Sequence, residues 1–204
     1  MIAMNKTRQS GLGLVELMIA LVLGMLVVAA SLALYANSFG ANASALRIAR
    51  LNNELRNVMT TLTRDLRRAG YHSSMAGGGT NPFAGVVLNA TGPQIDFAYD
   101  LNSNGIIDTN ERFGYRYDAA NKSIQVTVNS GTSWENLTDP TRVQITGFSI
   151  QDVSPSTVTM GTTTLVNVNV RSFVITLTGT ITAGGLTYTR VLQEHVRVRN
   201  EVLS

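Results

Sequence analysis

The sequence predicts an α+β fold in which one long N-terminal α-helix, with a membrane half and an amphipathic half, packs on a C-terminal antiparallel β-sheet. Three observations carry this expectation. An apolar run fills residues 12–36, an apolar stripe at helical spacing continues to residue 69, and from residue 95 onward the apolar positions alternate. A chain of 204 residues has room for one moderate domain plus an appended segment.

The apolar run is long enough for a single membrane span, since about 20 residues cross the hydrocarbon core as a helix. Lys6 and Arg8 precede it, so the positive-inside rule keeps residues 1–11 cytoplasmic and puts everything after residue 36 outside the cytoplasm. Near its start stands one carboxylate, Glu16. An ionisable side chain inside a bilayer segment is expensive, and its default reading is functional. A plain membrane anchor leaves Glu16 unexplained. A secretory signal cut after Val28-Ala29-Ala30 would release a chain starting at Ser31. Such signals carry about 7–15 apolar residues and no acid, whereas this run begins with Glu16 and stays apolar past Ala30.

Ile48, Leu51, Leu55, Val58, Met59, Leu62, Leu66 and Ala69 then recur at steps of three and four, the period of an amphipathic helix. No proline occurs before Pro82, so the membrane segment and residues 37–71 can form one helix of roughly 90 Å. Arg64, Arg67 and Arg68 fall in its last turns, and Gly70 is placed as a C-terminal cap. These arginines read either as a solvated, dipole-complementing face or as contacts for lipid headgroups or acidic neighbours.

Residues 72–204 form the expected β-rich domain. The Gly/Ser-rich stretch His72 to Asn81 marks the boundary. Alternation follows at Ile95, Phe97 and Tyr99, at Phe113, Tyr115 and Tyr117, and at Ile124, Val126 and Val128. It resumes at Val143 and Ile145, at Val166, Val168 and Val170, at Phe173, Ile175 and Leu177, and at Val196 and Val198. The phase slips between Ile145 and Phe148, which suggests a bulge near Gly147. A sheet with one apolar face needs a cover, and the stripe of residues 48–69 supplies it.

Residues 100–111 read DLNSNGIIDTNE, the D-x-[DN]-x-[DN]-G-x5-E pattern of a calcium loop. Asp100, Asn102 and Asn104 would offer side-chain oxygens, Ile106 its carbonyl, Asp108 a water-mediated contact and Glu111 a bidentate carboxylate, with Gly105 at the sharp turn. Strand-like segments flank it instead of helices, so no opening switch is expected. The alternative reading is an Asn-Gly turn whose Asp and Asn side chains cap the backbone.

Other chemistry is excluded or unsupported. The chain has no cysteine, hence no disulfide, thiolate nucleophile or Cys-based zinc site. Net charge is +3, but from residue 72 onward eight Lys or Arg face ten Asp or Glu, which is no nucleic-acid footprint. No hydrolase, metalloprotease or phosphate-loop motif occurs. His72 and His195 have no recognisable metal partner, and Trp134 reads as packing. The chain reads as a non-enzyme.

The N-terminal residues resemble a known signal. Gly11 followed by Leu-Gly-Leu-Val-Glu, after a short basic leader and before an apolar helix, resembles the type III signal of type IV pilins and type II secretion pseudopilins. That resemblance implies removal of residues 1–11 by a prepilin peptidase that cuts between Gly11 and Leu12 and methylates the new amine. The family's commonest first residue is Phe, and here it is Leu. A neighbouring subunit could then present Glu16 to the Leu12 amine, so that two charges costly in an apolar filament core neutralise each other.

Two further segments narrow the resemblance. Arg64 to Tyr71, RDLRRAGY, and the closing VRVRN of residues 196–200 are similar to the PilW group of minor pilins. The implied fold is type IV pilin-like, and the implied role is pilus assembly or initiation in a tip complex. The implied partners are the major pilin, other minor pilins and a PilY-type tip adhesin. The implied location is the inner membrane and then the extracellular pilus, with twitching or adhesion following from the pilus. Calcium is the one cofactor expected, and no organic cofactor is. A GspJ-like type II secretion pseudopilin and a secreted calcium-binding β-rich module are the rivals.

Overall fold

Between residues 14 and 68 the chain has no proline and only two glycines, Gly24 and Gly40, so nothing breaks the i to i−4 ladder. The computed structural model shows one unbroken helix, α1, at Leu14–Arg68. It describes residues 13–73, 81–90, 92–129, 131–154, 158–160, 166–168 and 171–199. Gly11 and Leu12 lie outside these, as do most of the Gly/Ser-rich boundary, Val170 and Asn200. The chain divides into two compact units, Met1–Ala45 and Leu46–Ser204.

In the first unit every described residue up to Ala43 is exposed. Its hydroxyls turn back on the helix: Ser31 Oγ donates to the Val27 carbonyl at 2.8 Å and Ser38 Oγ to that of Leu34 at 3.0 Å. This satisfies these two hydroxyls without water.

In the second unit, the remainder of α1 buries the face the spacing predicts. Leu51, Leu55, Val58, Met59, Leu62, Leu66 and Ala69 are all buried, and Ile48 is half-buried. Each fully buried leucine contributes about 1.5–3 kcal/mol. Gly70 ends the run with φ of 77°, the left-handed geometry of a glycine cap. Its N–H donates to the Ala98 carbonyl at 2.8 Å, and Asn81 Nδ2 donates to the Gly70 carbonyl at 2.8 Å.

Where the sequence reading expects one sheet, the described residues form three, all antiparallel. The first has the order β1 (Val86–Leu88), β2 (Gln94–Ala98), β3 (Arg112–Asp118), β4 (Ser123–Thr127) and β5 (Glu135–Asn136). Its inward residues, Ile95, Phe97, Phe113, Tyr115 and Ile124, join the helix face in one core. After β6 (Gln144–Asp152) come a two-stranded pair, β7 (Val158–Met160) with β8 (Val166–Val168), and then β9 (Ser172–Ala183) and β10 (Leu186–Arg197). The β6, β9 and β10 strands make the second sheet in the order β10-β9-β6, and Phe173, Ile175 and Leu177 of β9 point into the core. The two larger sheets meet where Ile145 N donates to the Lys122 carbonyl at 2.9 Å and Tyr117 Oη to the Ile145 carbonyl at 3.0 Å.

The expected bulge is present. Ile145 pairs with Gly179 and Gly147 with Thr178, so Thr146 is the extra residue. The strand expected at Val196 is the end of twelve-residue β10, which turns from β9 through Gly184-Gly185, with φ of 59° and 78°. Alternation missed most of β10 because only Val196 of that strand is buried.

One charge is buried between helix and sheet. Asp65 of α1 accepts from Tyr115 Oη at 2.6 Å and from Arg64 Nε at 3.3 Å. Burial, reinforced by the bond to Asp65, pushes the Tyr115 hydroxyl well above its ordinary pKa. The folded state therefore keeps a proton that the unfolded chain releases near pH 10, and this stabilisation is present below about pH 10 and lost as pH rises further. Tyr115→Phe should lower stability at neutral pH by about 1.5–3 kcal/mol and flatten the alkaline limb. Urea unfolding at a series of pH values from neutral to alkaline checks both.

Candidate functional site: an uncovered apolar helix and a carboxylate loop

Of the two candidate features, the apolar N-terminal helix is the larger. Its long side chains stand in the open, with Leu14 77% and Leu34 70% exposed. The helix is long and apolar enough to cross a membrane, and none of its most apolar stretch is buried within the chain. Soluble monomers do not leave such a surface to water. Glu16 lies in the first turn, where its charge complements the helix dipole. It is exposed, and its N–H donates to the Gly13 carbonyl at 2.9 Å.

The second feature is the loop of residues 100–111, between β2 and β3. Gly105 has φ of 77°, as the sharp turn requires, and Ser103 shares the left-handed region with φ of 62°. Asp100 and Glu111, at the two ends, are almost wholly buried at 1% and 0% exposure. Asp100 Oδ2 accepts from Ser73 N at 3.1 Å, Ser73 Oγ at 2.7 Å and Gly105 N at 3.0 Å, and Oδ1 accepts from Asn104 N at 3.1 Å. Glu111 Oε1 accepts from Leu101 N at 2.8 Å and Asn102 N at 3.3 Å, while Oε2 accepts from Asp108 N at 3.0 Å. Asp108 Oδ2 takes the amide groups of Asn102 at 2.8 Å and Asn104 at 3.0 Å. Asp108 also opens a single 3-10 turn, Thr109–Glu111, which leads into β3.

The carboxylates thus organise the backbone, as the turn reading expects. They also form the oxygen-only donor set that a hard cation takes. Glu111 Oε2 and the side-chain oxygens of Asn102 and Asn104 each accept one of these loop hydrogen bonds, and an oxygen of this kind can take a second partner. Ile106 is 65% exposed. Among the described residues, no three of His, Asp or Glu are gathered closely enough to hold a metal by themselves, so the Asn side chains would have to contribute. In donor chemistry the residues fit calcium.

The sequence reading missed what docks this loop. His72 and Ser73 begin the stretch assigned as a linker, yet Ser73 bonds Asp100 twice and His72 Nε2 lies 3.3 Å from the Gly105 carbonyl. Asp100 N also donates to the Tyr71 carbonyl at 2.9 Å, tying the loop to the end of α1. Trp134 packs as expected, with the Arg116 guanidinium 4.2 Å above its ring. The helix-end arginines engage the chain itself: Arg64 with Asp65, Arg67 with Glu194 at 3.2 Å, and Arg68 over the Tyr99 ring at 4.4 Å.

A long N-terminal helix, apolar and uncovered in its first half and joined to antiparallel sheets in its second, defines a protein of the type IV pilin class. The prokaryotic N-terminal methylation motif matches residues 6–32, which include Gly11, Leu12 and Glu16. The chain belongs to the prepilin peptidase-dependent protein B family, whose profile matches residues 44–198. A solved type IV-like pilin from Thermus thermophilus is similar in structure at 14% identity and a TM-score of 0.49, covering 74% of this chain and 97% of that one. No curated protein sequence matches.

Burial pulls the Asp100 carboxyl upward, but the bonds from Ser73, Gly105 and Ser103 outweigh it and hold Asp100 below the ordinary carboxylate range. A depressed carboxyl contributes stability that is present above about pH 4 and lost as pH falls through its folded-state pKa. Asp100→Asn should therefore lower the unfolding temperature at pH 7 and flatten the acid limb. Thermal unfolding from neutral pH down to about pH 2 measures both effects.

Proposed function

We propose that the chain is a non-enzymatic minor pilin of the PilW kind, stored in the inner membrane and taken into a type IV pilus, where it joins other minor pilins in an initiating tip complex. The observation that carries this reading is the uncovered apolar half of α1 with one carboxylate in its first turn, inside a segment that matches the methylation motif. Prepilin peptidase cuts between Gly11 and Leu12 and methylates Leu12. The new amine is the cation that Glu16 of an adjoining subunit neutralises in the filament core. The globular unit faces away from the cytoplasm and meets the major pilin, sibling minor pilins and a PilY-type adhesin.

The type II secretion pseudopilin remains the nearest alternative, because the same N-terminal logic serves both machines. Gene deletion separates them: loss of pili supports the pilin reading, and loss of exoprotein secretion with pili intact replaces it. Within the filament reading, Glu16→Val should leave a mature chain that begins at methylated Leu12, as N-terminal sequencing and mass spectrometry would show, while its recovery in sheared fibres falls about tenfold or more. Undiminished incorporation would remove the pairing role.

Calcium binding at Asp100, Asn102, Asn104, Ile106, Asp108 and Glu111 forms part of the proposal, supported by the all-oxygen donor set and its order in the chain. A bound ion would supply charge neutralisation and rigidity to the loop and no reaction. Two neutral asparagines lower the ligand charge, so affinity falls in the range of extracellular modules, roughly 0.1–1 mM. Isothermal titration should show binding heat and a raised unfolding temperature at millimolar calcium, both lost in Glu111→Gln. Absence of both in the unsubstituted protein would sink the claim.

A further inference from the structure

Arg47 is the first charged residue after Glu16: the chain carries no charge from Leu17 to Leu46. Those thirty residues lie in α1 and as helix rise about 45 Å, which matches the roughly 40–45 Å of a bilayer with its headgroup layers. Arg47 and Arg50 thus follow directly on a run that covers headgroups as well as hydrocarbon. Both line a cleft of about 440 Å³ in the Leu46–Ser204 unit, where Arg142 joins them across Thr141, Gln144 and Thr180. Among the described residues, no carboxylate lines it.

Two of the three guanidiniums are anchored. Arg47 Nη1 donates to the Thr182 carbonyl at 3.1 Å, and Arg142 Nε pairs with Asp139 Oδ2 at 3.0 Å. Asp139 is fixed in turn by Thr141, whose N–H bonds it at 3.0 Å and whose hydroxyl bonds it at 2.5 Å. Each of these anchoring bonds uses part of a five-donor group, and a phosphate takes donors of this geometry in pairs.

We propose that the Arg47–Arg50–Arg142 cleft binds the phosphate of an anionic phospholipid headgroup, holding the subunit against the outer face of the membrane before assembly. This rests on the reading that residues 12–36 cross the hydrocarbon core and that the uncharged residues 37–46 lead out through the headgroup layer. The phosphate chemistry alone would also admit a free anion; the length of the charge-free run selects the lipid. Polybasic segments beside a membrane span attract anionic lipid in the same way.

The test uses the full chain in nanodiscs of phosphatidylcholine, with and without phosphatidylglycerol, followed by release into neutral detergent and native mass spectrometry. The unsubstituted chain should retain phosphatidylglycerol over phosphatidylcholine by about tenfold, and Arg50→Gln with Arg142→Gln should bring the two to parity. Arg50→Gln alone, which leaves the Asp139 pair intact, should give an intermediate preference with an unchanged unfolding temperature. Parity in the unsubstituted chain, or undiminished preference in the double variant, overturns the proposal. Inorganic phosphate that raises the unfolding temperature as much as phosphatidylglycerol and displaces it would make this a free-anion site and overturn the lipid assignment. Failure to enter either disc would instead count against the membrane reading, because the cleft plays no part in insertion.

Discussion

A Cβ at Gly179 would stand 2.8 Å from Leu55 Cδ2 and 3.1 Å from Leu51 Cδ1, and the whole Leu46–Ser204 unit is built around that close approach. The central strand of the second sheet has no side chain there because the helix ridge fills the space. Leu51 and Leu55 are buried to 1% and 0%, so neither can swing aside without opening the core. The same ridge continues through Leu62 and Leu66 into the first sheet's cluster of Ile95, Phe97 and Tyr115. One helix face therefore serves two sheets, which also meet each other at the Lys122–Ile145 corner, and the helix helps to set their relative position.

That dependence explains where polar groups are tolerated in the core. Asp65 lies on the buried side of α1, a position that is unfavourable for an unpaired carboxylate. Tyr115 Oη reaches it from β3, and Arg64 reaches it from the helix itself. The pair fixes the rotation of α1 over the first sheet, since a hydrogen bond between helix and strand is directional while leucine packing is not. At the helix end the bonds of Gly70, Tyr71 and Ser73 to Ala98 and Asp100 do the same for the start of the loop.

Much of this was legible in the sequence because apolar spacing reports burial. The stripe from Leu51 to Ala69 and the inward residues of β2, β3, β4 and β9 were all readable that way. Pattern fails where burial does not vary along a strand: β10 is exposed at most positions, Leu186 and Val191 among them, and is held by pairing with β9. It also fails for pieces as short as β1 and β5. At the loop, the order of oxygen ligands and the glycine turn could be read from residues 100–111, but its attachment could not. Ser73 and His72 are distant in sequence and sit in a segment whose composition signals a linker. A serine hydroxyl bonding a buried aspartate leaves no periodic trace, so only the fold reveals that the loop is fastened to the helix.

The exposed half of α1 poses a different problem, because its surface would suit either hydrocarbon or a bundle of like helices. A helix satisfies its own backbone in both settings, and apolar side chains tolerate both. Glu16 is the group that separates them. In a bilayer a carboxylate one turn from the helix start can reach the headgroup layer and remain hydrated. Inside a filament it loses that water and requires a cation. From Leu12 to Leu46 the chain has no Lys or Arg, so under the proposed processing the Leu12 amine is the cation that this segment itself would supply. A carboxylate tolerable in storage and paired only after processing would bar uncut chains from the fibre. This gives the acid a reason to persist in an otherwise charge-free helix.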